Sequence, residues 1–565
     1  KLFQKFSLDS TAFQPRPAPR ATPQWLFVNR VLTTGHFYWK IGHYKVLSDS
    51  ALSKSAAVEE MKKLPCFFAA LVLLQSRAFA QQAGEKQVLW AADKAGRINK
   101  LTLLSQVETR YVDDYDELLA ILKELYEKDY PKERYRTLSM LSEKLGFYIS
   151  KEIDEDEYLI LSAEGIAGFY DSEIKAIYVL TSDLIDTVQK KQDQRLFDEC
   201  GYKETFFSGY GYETVKDWYK RNRADLTLVH EMTHALQDQH FDLEGWFKQY
   251  EANTDASLAI RSVVEGFAEY TEEYFLSQIM SNSEPYVNEI YRYYNLMLYE
   301  ILEYRREWEM KNDSYTPEDV CGDFVSYRYK LSTFPYTYGL AFMQRLHLES
   351  GWRGWDKLQD AHYDHPLSTE QILHLEKFFD KKKLDFPVFI VPPDLTPLLP
   401  ESFEFLDTDS LGEFRIYIML KDLMFSSEDA IRVSEGWGGD RYIAFMDNNE
   451  KDISFAWLTV WDSEKDADEF FNFFNENIIH RKQISVKTVL KNKNYSVFQS
   501  FRDYSIIKKK GDMVLILEGF KNRDLAESLI ETILNAETYK AEYEDYEVVP
   551  DYYEKPEDKE NVSNR

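Results

Sequence analysis

His230-Glu231-Met232-Thr233-His234 is the stretch on which the reading of this chain turns. It lies within 224–239, Ala-Asp-Leu-Thr-Leu-Val-His-Glu-Met-Thr-His-Ala-Leu-Gln-Asp-Gln, which contains neither Gly nor Pro and reads as helix. Two histidines four apart on a helix share one face, one turn apart. Both imidazoles can then reach one Zn²⁺ at about 2.0–2.1 Å. Glu231 points away from the ligand pair but stays near the open position of the metal, where it can accept a proton from zinc-bound water.

A catalytic zinc needs a third protein ligand and an open fourth position. Glu265 is the favoured candidate, in Val264-Glu265-Gly266-Phe267-Ala268-Glu269-Tyr270 on the next long helix. Its apolar neighbours make an unpartnered carboxylate there costly. Gly266 and Ala268 are expected to let this helix pack tightly against the motif helix. Glu269, one turn on, can hydrogen-bond a zinc histidine and fix its orientation. Glu272 and Glu273 follow and suggest a solvated acidic face. His240 is the rival, at the third-ligand position of H-E-x-x-H-x-x-G-x-x-H. That motif breaks its helix at Gly, and here the position is Gln237. An oxyanion donor is also expected. Tyr338 is the chosen candidate, with Tyr336 and His374 as alternatives. His347, His362 and His365 read as surface or structural. The segment 168–180, with a turn at Asp171-Ser172-Glu173, reads as a hairpin whose edge can pair with an extended substrate backbone.

The first methionine is Met61. Met61-Lys62-Lys63, the apolar run 64–74 and Ala78-Phe79-Ala80 form the three parts of a signal peptide, too short to span a bilayer. Residues 1–60 therefore read as spurious upstream translation, 61–80 as the signal peptide, and Gln81 as the mature start. Residues 1–80 hold 11 Lys+Arg and 4 Asp+Glu, so their loss takes the net charge from −29 to −36. Such a chain repels nucleic acid and anionic lipid. No other run is apolar enough for stable membrane insertion. The expected location is outside the cytoplasm, periplasmic or extracellular. Cys200 and Cys321 remain after export and permit one disulfide or two free thiols.

Residues 81–113 read as a polar lead-in, and 114–385 as a mainly helical domain with a small sheet. Helices are expected over 115–130, 134–145, 254–280, 287–309 and 338–349, and strands over 158–161 and 168–180. Five prolines between Asp385 and Glu401 mark 386–400 as a stiff linker. Residues 401–540 read as a C-terminal α+β module. Its strands lie near 442–446, 453–461, 496–501 and 513–517, and Gly436-Trp437-Gly438-Gly439-Asp440 reads as a turn. Its helices cover 466–477 and 523–534, with Ser463 and Asn522 as caps. The tail 541–565 is acidic and reads as disordered.

His230–His234 with Glu265 and Glu269 resembles the gluzincin branch of zinc metallopeptidases. The longer string from His230 to Leu243 is similar to a family of exported bacterial proteins regarded as metallopeptidases. So are Ala167-Gly168-Phe169-Tyr170-Asp171, Ser368-Thr369-Glu370-Gln371-Ile372-Leu373-His374 and Gly436-Trp437-Gly438-Gly439-Asp440-Arg441-Tyr442. The similarity covers roughly 110–540. Leu375 stands where such proteins usually have Pro, which weakens any role for His374. The resemblance implies an α+β, zincin-like fold and zinc-dependent hydrolysis of a peptide or protein substrate, carried by His230, His234, Glu265 and Glu231. Two other functions fit the same motif: a zinc-containing binding protein without turnover, and a zinc-dependent amidase acting on a non-peptide substrate.

Overall fold

The computed structural model describes residues 85–129, 140–147, 159–160, 163, 166–200, 210–250, 252–280, 302, 323–424, 427–478, 482 and 485–542. The expected signal segment, the helix over 287–309 except Leu302, Cys321, the Cys200 side chain and the tail beyond Glu542 lie outside them.

The chain is α+β, with helices dominating the first part and a seven-stranded sheet the second. Helix α1 (Glu85–Asn99) buries Ala91, Ala95 and Ile98, which recur at helical spacing. Asn99 is fully buried and its Oδ1 accepts from the Thr271 hydroxyl at 2.7 Å. The expected polar lead-in is thus part of the core. Small alanines made its apolar stripe narrow and hard to see.

Strand β1 (Glu108–Val112) and helix α2 (Tyr115–Asp129) follow. Leu159 and Ile160 are helical, not the strand expected there. Strands β2 (Gly168–Asp171) and β3 (Ala176–Leu180) form the expected hairpin. Asp171 Oδ1 accepts from the Glu173 and Ile174 amides and closes its turn. The order is β1-β3-β2, so the fully buried β3 is central and β2 is an edge. Helix α3 (Ser182–Cys200) leads to the motif helix α4 (Tyr210–Phe241), which starts earlier than the sequence reading.

The short helix α5 (Leu243–Gln249) precedes α6 (Thr254–Met280), whose bounds match the reading. Helix α7 (Asp323–Ser350) starts well before 338 and runs through Pro335. Helices α8 (Gly354–Tyr363), α9 (Thr369–Leu373) and α10 (Leu375–Phe379) complete this part.

Helices α6 and α7 cross at two glycines. A Cβ on Gly266 would stand 2.3 Å from the Gly339 carbonyl, and one on Gly339 would stand 2.3 Å from the Ser262 oxygen. Gly266 therefore admits α7, not the motif helix as expected.

The proline-rich segment is built into the fold rather than standing free. Strand β4 (Val388–Ile390) pairs with the last strand of the chain, and Leu395 is fully buried. The module then runs β5 (Phe403–Asp409), α11 (Gly412–Met424), α12 (Ser427–Ser434), β6 (Trp437–Asp447), β7 (Asp452–Trp461) and α13 (Glu464–Glu476). It continues β8 (Lys487–Lys491), β9 (Tyr495–Gln499), β10 (Tyr504–Lys510), β11 (Met513–Phe520), α14 (Arg523–Leu534) and β12 (Thr538–Lys540). Ser463 and Asn522 cap α13 and α14 through their side chains, as read.

The antiparallel sheet has the order β5-β6-β7-β11-β10-β9-β8. Residues 437–440, expected to turn, open β6 instead. Gly439 is needed there because a Cβ would collide with the Val388 oxygen of β4 at 2.1 Å. Alternate residues of β7 face opposite ways: Ala456 and Leu458 pack toward α14, Phe455 and Trp457 toward α13.

The second face is continuous with the helical core. Phe334 of α7 lies 4.1 Å, ring to ring, from Phe414 of α11. The first turn of α6 is also tied across. The Thr254 amide donates to Asp409 Oδ1 at 2.7 Å, and Asp255 Oδ1 accepts from the Thr369 amide at 3.2 Å. Among the described residues no helix is long and apolar enough to cross a membrane.

Candidate metal centre

Helix α4 carries His230, Glu231 and His234 on a stretch whose other residues are almost wholly buried. Helix α6 lies against it. Glu265 Oε2 stands 3.4 Å from His230 Nε2 and 3.3 Å from His234 Nε2, and the two Nε2 atoms are 3.1 Å apart. Ligand atoms at about 2.0–2.1 Å from one tetrahedral ion stand about 3.3–3.4 Å apart. The three atoms therefore form a triangle of the size that one zinc ion requires.

The surrounding hydrogen bonds set the protons. Leu358 O accepts from His362 Nδ1 at 2.8 Å, and Gln237 Nε2 lies 3.0 Å from His362 Nε2 and 3.1 Å from Val264 O. This arrangement fixes Gln237 with its amide nitrogen toward His362 and its Oε1 toward His234 Nδ1, at 3.0 Å. His234 Nδ1 is then the donor and Nε2 carries the bare lone pair. On His230, Nδ1 faces carboxylates of Glu272 at 3.4 Å and Glu269 at 3.7 Å, so in the neutral ring Nδ1 is the donor and Nε2 is bare as well. Glu265 Oε2 is buried without a hydrogen-bond partner. Two lone pairs and an orphaned carboxylate oxygen facing one point repel each other unless a cation lies between them. The residues present fit a zinc ion.

The electrostatics show the same demand for positive charge, which a proton on His230 can meet in place of a metal ion. Burial opposes charge on His230, but Glu265, Glu272 and Glu269 outweigh it and hold this imidazole well above its ordinary range. Burial would raise Glu265, yet the two histidines pull it far below the usual carboxylate range. Glu231 is pushed up by burial, with the histidines opposing. Burial and neighbouring Glu272 raise Glu269 strongly.

The remaining expected residues separate clearly. Glu269 is beside His230, but Glu272, read as part of a solvated face, is nearer and only 3% exposed. His240 is elsewhere, its Nε2 2.9 Å from Thr102 O. His374 pairs with buried Glu413 at 3.0 Å in the interface with the module. Tyr338, the chosen oxyanion donor, packs its ring against Phe334 and Phe414. Tyr336 is the tyrosine over the histidines, 6.5 Å ring to ring from His230. Two residues apart on a helix, the two tyrosines face nearly opposite ways. Burial, then Glu265 and Glu231, raise the Tyr336 phenol well above its usual range, so it keeps its proton.

Gln237, Glu272 and His362 were not read as site residues, and Tyr336 only as an alternative to Tyr338. Gln237 carried the one available signal: a long polar side chain on the helix face that also bears His234.

The hairpin closes the other side. A Cβ on Gly168 would lie 3.4 Å from Glu231 Cγ, so edge strand β2 passes beside the general-base candidate. Asp238, one turn beyond His234, holds the hairpin in place by accepting from Tyr170 Oη at 2.6 Å and pairing with Lys175 at 2.9 Å. A second acidic group, Glu370, Asp385 and Asp462, surrounds the Lys377 ammonium at 2.6–3.2 Å, so its cation is already supplied.

A family described as a domain of unknown function (DUF8575) matches residues 401–529, within the sheet module. No curated protein and no solved structure matches the chain.

Proposed function

We propose that the protein is a zinc-dependent metallopeptidase of gluzincin type, with His230, His234 and Glu265 as the metal ligands. The observation that carries this reading is the triangle of two bare imidazole nitrogens and an orphaned carboxylate oxygen, 3.1–3.4 Å on a side. Bound there, a zinc ion supplies Lewis acidity toward a water and a carbonyl oxygen.

The chain's own residues do the rest. Glu231, raised by burial, accepts the proton of the attacking water and returns it to the leaving amine nitrogen. Tyr336, which keeps its O–H, donates a hydrogen bond to the developing oxyanion. Edge strand β2, next to Glu231, offers its free edge to an extended peptide backbone. Export from the cytoplasm belongs to the same proposal and rests on the 61–80 sequence pattern.

The test is metal content together with cleavage of a denatured protein, with and without chelator, in wild type and Glu231→Gln. Zinc near one equivalent, chelator-sensitive cleavage, and loss of cleavage with retained zinc in the variant support the reading. Bound zinc with no cleavage of proteins or peptides by wild type overturns it and leaves a metal-containing binding protein or an amidase on other substrates.

A further inference from the structure

Residues 261, 265, 269 and 272 follow one another on the α6 stripe that faces the motif helix. Exposure falls steadily along it. Arg261 is exposed, the Glu265 side chain is 21% exposed, and Glu269 and Glu272 are buried. The accessible end of this stripe is therefore its Arg261 end, one turn from Glu265.

The Arg261 guanidinium lies over the Phe247 ring at 4.9 Å, and its charge acts on Tyr336, the residue over His230. Lys175 and Lys248, on neighbouring elements, are already neutralised, the first by Asp238 and Glu244 and the second by Glu244. Among the described residues no carboxylate lies within ion-pair distance of Arg261. In a chain of net charge −29, this arginine beside the candidate site thus has no ion-pair partner among the described residues. Its plane is held by an aromatic ring, and its N–H edge remains available for a bidentate partner. A carboxylate approaching a protein this acidic is repelled unless a local cation receives it.

We propose that Arg261 is the specificity-determining residue of the cleft and binds a carboxylate of the substrate. This deepens the peptidase reading and rests on it. The carboxylate comes either from an Asp or Glu side chain near the cleaved bond or from the C-terminal α-carboxylate of a peptide, and both present the same planar acceptor pair. Arg261 does not touch the reacting atoms. Its contribution is to hold one end of the substrate while Glu231 and the metal ligands work one turn away.

Four N-acetylated heptapeptides of one sequence test this, with Glu or Gln at the central position and a free or amidated C-terminus. Steady-state kinetics are measured with the zinc-loaded wild type, Arg261→Ala and Arg261→Glu. Wild type is expected to prefer an anionic member about tenfold in kcat/KM, through KM. Arg261→Ala should abolish the preference with kcat and the doubly neutral peptide nearly unchanged, and Arg261→Glu should invert it. The Glu/Gln pair and the acid/amide pair identify the source of the carboxylate. A wild type indifferent to both pairs, or a preference that survives Arg261→Glu, overturns the proposal. If wild type cleaves none of the four, denatured casein decides the peptidase reading separately. Arg261 is then judged by calorimetric binding of the same peptides to wild type and Arg261→Glu. Equal affinities for anionic and neutral peptides reject its role.

Discussion

The backbone of Gly339 occupies the space that a side chain on residue 266 would need, with the carbonyl 2.3 Å from the position of a Cβ. This contact sits next to Glu265 in sequence and places Tyr336, one turn before Gly339, over His230. Neither partner can yield, because both are backbone. Gly266→Ala should therefore destabilise the fold by about 1–3 kcal/mol, the usual range for overpacking. It should also lower zinc retention while leaving helical content intact. Urea denaturation with metal analysis of the folded protein measures both. An Ala variant with unchanged stability and full zinc would show that the helices cross more loosely than this.

Glu265→Ala should nearly abolish zinc retention and activity, while His240→Ala keeps the metal. The first loses the only carboxylate oxygen among the described residues that faces both Nε2 atoms, and the second loses a bond to the Thr102 carbonyl. Metal content after dialysis distinguishes them. Loss of zinc from the His240 variant with retention in the Glu265 variant reverses the ligand assignment.

Gln237→Leu should weaken zinc affinity by roughly 10–100-fold, as losses of groups that orient a ligand do. The substitution removes the acceptor that holds His234 Nδ1 and strands the buried ring of His362. Glu272→Gln should have a larger effect than Glu269→Gln, because Glu272 is the nearer carboxylate to His230 Nδ1. Competition with a chelating dye gives the three affinities. Wild-type affinity in Gln237→Leu would mean that His234 needs no such support.

Tyr336→Phe should lower kcat by roughly 10²–10³, the range for removal of one oxyanion donor, with zinc and KM little changed. Tyr338→Phe should act on stability alone, because that ring belongs to the Phe334 and Phe414 cluster. Single-substrate kinetics on both variants separate the two. Equal losses of kcat would remove Tyr336 from its proposed place.

His362 gives the protein a pH dependence whose sign can be worked out. Burial lowers this imidazole to about 4, so it is neutral in the fold while an unfolded His takes up a proton below about 6.5. Between these values the unfolded state binds more protons, and stability falls as the pH is lowered. The full effect, reached below pH 4, is about 3 kcal/mol. His362→Gln should flatten the stability curve between pH 6.5 and 4 relative to wild type. Parallel curves would show that His362 is not held neutral.

The parts of the site legible in the sequence are those fixed by local spacing. Histidines four apart on a helix must share a face, and a glutamate among Val263, Val264 and Phe267 had to have a partner. Helices α6 and α14 were legible because their apolar periodicity runs from cap to end. Residues whose roles depend on what another segment brings up to them were not. Glu272 looks solvated until α4 covers it. Tyr336 and Tyr338 are indistinguishable in sequence until α7 is rotated about its axis, and Pro335 hid the continuation of that helix. Gly436-Trp437-Gly438-Gly439 has turn composition, but Gly439 serves the approach of the Val388 carbonyl.

The bonds from Asp409 to Thr254 and from Thr369 to Asp255 grip α6 at its first turn. A helix is stiff along its axis, so a grip there sets the height at which Glu265 meets the two histidines, about 15 Å further on. The sheet that supplies Asp409 thus works as a gauge block for the candidate metal centre. Trimming the chain after residue 400 would not leave the candidate site intact. It would release the one dimension on which the ligand triangle depends.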